Sequence, residues 1–151
     1  MNIASLHNKF GWFSLVEKND QITQLLWEDR TEGFRSDVLK EGLNQLEAYF
    51  AGKLTKFDLP LAPAGSDFQQ QVYRVMLDIP FGEVLTYGEV AKKLDVPAQI
   101  IGQACGSNPI PVIIPCHRIV GTGHLGGFSG MGGVETKVQL LRHEGANAQL
   151  I

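Results

Sequence analysis

Residues 86–106 read Thr86-Tyr87-Gly88-Glu89-Val90-Ala91-Lys92-Lys93-Leu94-Asp95-Val96-Pro97-Ala98-Gln99-Ile100-Ile101-Gly102-Gln103-Ala104-Cys105-Gly106. Thr86 three residues before Glu89 is a capping box, in which hydroxyl and carboxylate each satisfy an amide of the first helical turn. The helix it opens buries Val90, Ala91 and Leu94. Asp95-Val96-Pro97 is a short turn, and a second helix runs from Ala98 to about Gly106. Two short helices across a three-residue turn form a helix-turn-helix pattern. Many small helical domains contain such a pair, so the pattern gives architecture before it gives function.

Working outward, Ser66-Asp67-Phe68-Gln69 is another capping box, opening a helix with Phe68, Val72, Val75 and Met76 on one face. Ile79-Pro80-Phe81-Gly82 breaks it. Further upstream, Asn2–Leu6, Gly11–Val16 and Ile22–Trp27 are short apolar-rich runs separated by Asn-Lys and Lys-Asn-Asp turns, and read as strands. Leu39, Leu43, Leu46 and Phe50 then recur at helical spacing over Asp37–Ala51, with Gly52 as the left-handed stop. The fold class is α+β. An N-terminal α/β lobe, a short antiparallel sheet plus a helix, spans 1–52. Pro60, Pro63 and Gly65 mark 53–65 as a linker. A mostly helical, winged-helix-like domain with the helix-turn-helix spans 66–151.

Composition narrows the class. The chain has 151 residues, 44% apolar and 19% charged, which is globular and long enough for a real core. The N-terminus carries no signal-peptide pattern, and no apolar run approaches membrane-spanning length. The two cysteines, Cys105 and Cys116, lack metal-ligand spacing, as do the four histidines, so no metal site is expected. One disulfide between them is conceivable, but nothing else suggests a secreted scaffold. A reducing cytosol is expected, with Cys116 a free thiol. The net charge is −3, with no basic block. Because phosphate neutralisation dominates nonspecific nucleic-acid affinity, any DNA binding should be modest.

The chemistry is concentrated in Ile113-Ile114-Pro115-Cys116-His117-Arg118-Ile119-Val120. A thiol is a nucleophile only as thiolate, and a nearby cationic imidazole commonly lowers its pKa. The apolar flanks bury the peptide and orient the sulfur. An ordinary core cysteine needs neither His117 nor Arg118, so a reactive cysteine is the leading reading. Residues 121–133 then hold seven glycines and fit no phosphate-cradling motif. They read either as a surface loop or as one whose backbone approaches a flat ligand. A final helix carries Val134, Val138 and Leu141 inward and ends at His143-Glu144-Gly145.

Taken in order, Phe68-Gln69-x-x-Val72-Tyr73, Ile79-Pro80-x-Gly82, Thr86-Tyr87, Gly102-x-Ala104-x-x-x-Asn108-Pro109, Ile114-Pro115-Cys116-His117-Arg118, Gly127-Phe128-Ser129-Gly130 and Leu140-Leu141-x-x-Glu144-Gly145 resemble the O6-alkylguanine-DNA alkyltransferase family. The match runs from about Phe68 to Gly145; the first lobe resembles the family only in its layout of strands and then a helix. The resemblance implies irreversible, single-turnover transfer of an alkyl group from guanine O6 in DNA onto Cys116, with no cofactor. O4-alkylthymine stays open as a second substrate. It further implies His117 as base, acting through a water, Glu144 as the group orienting and charging the imidazole, and Asn108 as a turn residue tying the recognition helix to the cysteine segment. Tyr87 corresponds to the tyrosine bonding the guanine ring, Ser129 to a residue near O6 and Phe128 to the pocket aromatic, often tyrosine. Arg118 is grouped with the substrate-binding set. The helix Ala98–Gly106 is expected in the minor groove of double-stranded DNA, where small Gly102 and Ala104 fit, with the lesion base flipped out and the protein a monomer.

This chain departs from the family pattern at Gln99, where an arginine usually fills the gap left by the flipped base. Without the family, Tyr87 reads as a helix-start residue, Glu144 as a solvated last-turn residue, and Ser129 and Asn108 as turn formers; only Cys116 and His117 stand out unaided. Two other functions stay open: an alkyl-lesion sensor that binds without efficient transfer, which Gln99 favours, and a Cys-His-Glu hydrolase. Turnover separates the hydrolase, because a thioether cannot be hydrolysed back to thiol.

Overall fold

In a computed structural model of the chain, residues 1–127 and 133–146 are described. They divide into two compact units, Met1–Ala64 and Gly65–Ile151.

The first unit is a meander of three antiparallel strands with one helix on its face. β1 (Asn2–Asn8), β2 (Gly11–Lys18) and β3 (Gln21–Leu26) pair in that order. Asn19 and Asp20 turn β2 into β3 with φ of 53° and 62°, the left-handed pair that a two-residue hairpin requires and that Asn and Asp tolerate. α1 (Asp37–Phe50) starts where the Ser36 side chain accepts the Leu39 amide at 3.3 Å. It buries Leu39, Leu43 and Leu46. Gly42 lets it ride close to the sheet, since a Cβ there would lie 2.7 Å from Leu15 Cδ1. Phe50 closes the end, its ring 4.7 Å from Phe10 and 5.0 Å from Phe13.

Within 53–65, read as a linker from Pro60, Pro63 and Gly65, the stretch Asp58–Ala62 is hydrogen-bonded to this unit. Ile22 N–H donates to Pro60 O, and Ala62 N–H to Ile22 O, both at 2.8 Å. The Gln45 side chain brackets the Asp58 backbone from both sides. Proline lacks a donor, but its carbonyl still accepts, so Pro60 can sit beside an edge strand.

The second unit opens with α2 (Asp67–Leu77), capped by the Ser66–Gln69 box. β4 (Leu85–Thr86) leads into α3 (Tyr87–Leu94), capped by the Thr86–Glu89 box. Asp95 ends α3 in the left-handed conformation, and α4 (Ala98–Gly106) follows Pro97. The helix-turn-helix therefore forms with the expected boundaries. Beyond α4 every residue from Ile110 to Gly121 is buried. This segment includes a single 3-10 turn, Cys116–Arg118, and β5 (Ile119–Val120), which pairs parallel with β4. α5 (Val134–His143) completes the unit.

α5 faces differently from the sequence expectation. Val134 is 44% exposed, Val138 is half-buried, and Lys137 lies inside at 1% exposure beside Leu140 and Leu141. Lys137 occupies an inward position because its long stem packs as a hydrocarbon while its ammonium reaches carbonyls. Among the described residues, no helix is long and apolar enough to cross a membrane.

Candidate active site

Asn108, just past α4, organises the segment that follows. Its Oδ1 accepts the Ile110 amide at 3.0 Å and its Nδ2 donates to Ile114 O at 2.8 Å. One side chain thus closes the loop 108–114, in which Val112 has φ of 73°. That is a strained conformation for a β-branched residue, and it persists because its surroundings over-determine it. The Cys116 amide then donates to Ile114 O at 2.8 Å and starts the 3-10 turn. Cys116 and His117 are both buried within this turn.

Cys116 remains 5% exposed and lines an open cleft of about 650 Å3, within the roughly 300–1,000 Å3 of small-ligand sites. Tyr87, Ala98, Gln99, Gly102, Cys105, Gly106, Gly126 and Gly127 form its other walls. The helix-turn-helix therefore supplies one side of the cleft and the glycine-rich stretch the other. Gly126 has a steric reason to be glycine. A Cβ there would stand 2.5 Å from the Tyr87 hydroxyl oxygen and 2.7 Å from its ring. A smaller hollow of about 190 Å3, beside Val75, Leu85 and Lys93, is not lined by a thiol or an imidazole.

Behind Cys116 lies a buried polar relay. His117 Nε2 is 2.8 Å from Glu144 Oε2, and both side chains are fully buried. Arg118 forks the same carboxylate, with Nε 2.8 Å from Oε1 and Nη2 2.9 Å from Oε2, and its Nη1 donates to Ile79 O at 2.6 Å. Burial pushes the Glu144 carboxyl up, but hydrogen bonds from His117 and Arg118, with their charges, outweigh it and hold it well below the usual carboxylate range. An ionised carboxylate only accepts, so His117 carries its proton on Nε2 and keeps a lone pair on Nδ1. Nδ1 is buried without a hydrogen-bond partner among the described residues.

The charge state differs from a ready-made thiolate–imidazolium pair. Burial pushes the Cys116 thiol up, opposed by the Asn108 side chain, the Lys137 charge and the amides of Cys116 and His117. Burial also pushes His117 down; Glu144 opposes this, while Arg118 and Lys137 add to it. Both shifts favour the uncharged forms, thiol and neutral imidazole. Tyr87 is pushed up to about 12, chiefly by burial. Its hydroxyl stays a donor at any physiological pH.

Two sequence expectations move. Arg118, grouped with the substrate-binding residues, is buried with its guanidinium committed to Glu144 and Ile79, because the carboxylate beside His117 needs a counter-charge. Ala104, expected against DNA, is 3% exposed on the inner face of α4, while Gly102 and Gly106 line the cleft. Phe128 and Ser129 lie outside the described residues.

Lys137 also belongs to the site, although no motif marks it. Its Nζ donates to Ile119 O at 2.7 Å and Gly127 O at 3.1 Å, and lies 5.7 Å from the Tyr87 ring centroid. The usable signal was its spacing, one helical turn before the Leu140-Leu141 pair. Among the described residues, no group of three or more His, Cys, Asp or Glu side chains is placed to hold a metal ion.

Comparison with known proteins places this geometry. Residues 67–146 match the model of the 6-O-methylguanine DNA methyltransferase DNA binding domain, and residues 2–63 that of the ribonuclease-like domain of the same proteins. Methylated-DNA–protein-cysteine methyltransferase from Mycobacterium tuberculosis is 47% identical over 89% of this chain and 79% of its own. The protein so named from Methanosarcina acetivorans is 44% identical over 80% of this chain and 74% of its own. Among solved structures, Mycobacterium tuberculosis OGT in complex with DNA superposes with a TM-score of 0.83 at 36% identity, covering 97% of this chain and 96% of that one.

Proposed function

The chain belongs to the 6-O-methylguanine DNA methyltransferase family, and from that premise we propose how its residues carry out the work. It is a DNA-repair protein with methylated-DNA–protein-cysteine methyltransferase activity. The observation that carries the reading is Cys116 on the cleft wall with the His117–Glu144 pair buried behind it.

The alkyl group leaves guanine O6 for Cys116 Sγ by in-line displacement. The S–C bond forms as the O6–C bond breaks, the bonding pair stays on O6, and the thiol proton passes by way of a water to His117 Nδ1. Glu144 stabilises the imidazolium that results, as the carboxylate of a hydrolytic triad does. Tyr87, a donor facing the cleft, bonds the guanine ring, and Asn108 holds the cysteine segment in register with α4. The product is a thioether with no leaving group to return the thiol, so each molecule acts once.

DNA meets the wall of the cleft formed by α4. Gly102 and Gly106 let the backbone approach a narrow minor groove, and a base turned out of the stack reaches Cys116. Gln99 stands where it can hydrogen-bond the orphaned partner base but adds no charge. A single copy holds the whole relay within one unit, so the protein acts as a monomer. The lesion-sensor reading is not favoured, since thiol, base and carboxylate are all present. A titration of O6-methylguanine DNA tests the proposal: methyl transfer saturates at one per protein and is absent in Cys116→Ser. Transfer beyond one equivalent would favour the hydrolase-like reading instead.

A further inference from the structure

Glu144 serves two donors at once, the Arg118 cation and the His117 N–H, and the division is unequal. Arg118 takes both oxygens, at 2.8 and 2.9 Å, while His117 takes only Oε2, at 2.8 Å. The guanidinium is fixed from its far side by Ile79 O at 2.6 Å, and the Phe81 ring lies 6.0 Å from its Cζ. A planar fork held on three sides keeps its charge in place with little freedom to lose.

We propose that Arg118 is a positioning residue that neutralises Glu144 so that His117 stays an uncharged base and Cys116 an unspent thiol until a substrate fills the cleft. The inference rests on the reading of His117 as the base for Cys116. A carboxylate without this partner would give its full charge to the imidazole. His117 would then take the thiol proton in the empty site, leaving a standing thiolate open to any small electrophile. For a protein used once, each such encounter destroys a molecule. The other charged or titratable groups facing His117 act in known directions. Lys137 on α5 disfavours the imidazolium as Arg118 does. Tyr73 on α2 and Cys105 on α4 act on Cys116, and burial resists the ionisation of both, so neither adds charge.

The test is the pH profile of Cys116 carbamidomethylation by iodoacetamide in the absence of DNA, read by fragment-ion sequencing that resolves Cys116 from Cys105. In Arg118→Gln, which keeps an amide donor but loses the charge, the midpoint falls by at least one pH unit, about tenfold faster labelling at a fixed pH below it. Arg118→Lys, which keeps the charge, stays within threefold of the native rate. Arg118→Met carries the same expectation as Gln, so a folding failure of either leaves the other. Circular dichroism of each variant excludes unfolding as the source of faster labelling. A Gln or Met midpoint equal to or above the native one would overturn the proposal. That failure is separate from failure of the functional reading, which would appear as methyl transfer persisting in Cys116→Ser.

Discussion

Lys137 Nζ lies 5.7 Å from the centre of the Tyr87 ring, and both residues border the cleft wall of Cys116 through Gly127. The ammonium has no carboxylate partner among the described residues; it is held by two carbonyls and an aromatic face. Burial pushes its pKa down, opposed by Cys105 and Cys116. A charge kept inside at that cost is expected to work on the sulfur and on the tyrosine together.

Lys137→Met therefore separates activity from stability. Methionine fills the stem's volume and removes a buried charge, while Ile119 O and Gly127 O lose their donor. The net stability change stays below about 2 kcal/mol. Methyl transfer falls at least tenfold, because Tyr87 and the loop lose their tether and the forming thiolate loses a cation. Urea unfolding beside single-turnover kinetics checks both halves; an unchanged rate would remove Lys137 from the site.

Gly126→Ala tests the close approach to Tyr87. The residue has φ of +75°, and the added Cβ would meet the tyrosine hydroxyl oxygen at 2.5 Å. Backbone strain costs about 1 kcal/mol. Displacing the ring should lower the rate with alkylated DNA far more than it lowers stability. Labelling of Cys116 by iodoacetamide serves as the control, since that reaction needs no guanine contact.

Acid should unfold the second unit in two stages. His117 has its pKa lowered from the ordinary 6.5, so the unfolded chain binds more protons there and stability falls as pH drops below about 6.5. Glu144 is lowered from 4.5, so its contribution is present above that value and lost as pH falls through the carboxylate range. Glu144→Gln flattens the lower stage of a stability–pH curve measured by urea denaturation. A curve parallel to the native one between pH 5 and pH 3 would show that the carboxylate is not the coupled group.

Gln99 lines the cleft on α4 without a charge. Gln99→Arg adds a cation where DNA is proposed to dock, tightening binding and steepening the salt dependence by about one phosphate contact. Filter binding at several salt concentrations reads both. Equal slopes would place residue 99 away from the backbone.

Much of the fold could be read directly, because local chemistry and tertiary packing agree in it. Both capping boxes form as the Ser66–Gln69 and Thr86–Glu89 spacings predict, and α1 and α4 begin at the predicted residues. The hydrogen bonds within 53–65 left no local signal, because Pro60 and Pro63 mark irregular backbone, yet a carbonyl beside an open strand edge suffices to dock it. α5 misled because Val134 and Val138 compete with Lys137 for the inner face, and only the positions of the Ile119 and Gly127 carbonyls decide between them. In the site, Cys116 and His117 announced themselves by adjacency. Glu144 and Asn108 could be placed only through resemblance, since contacts across 27 and 6 residues leave no local pattern. The sharing of Glu144 with Arg118 is a property of three dimensions alone.

The most direct measurement is the intact mass of the protein after incubation with O6-methylguanine DNA, followed by peptide mapping. The expected result is a gain of one methyl in place of one hydrogen, localised to Cys116 by fragment-ion sequencing. An unchanged mass, or a methyl that fragment-ion sequencing localises to Cys105, would contradict it.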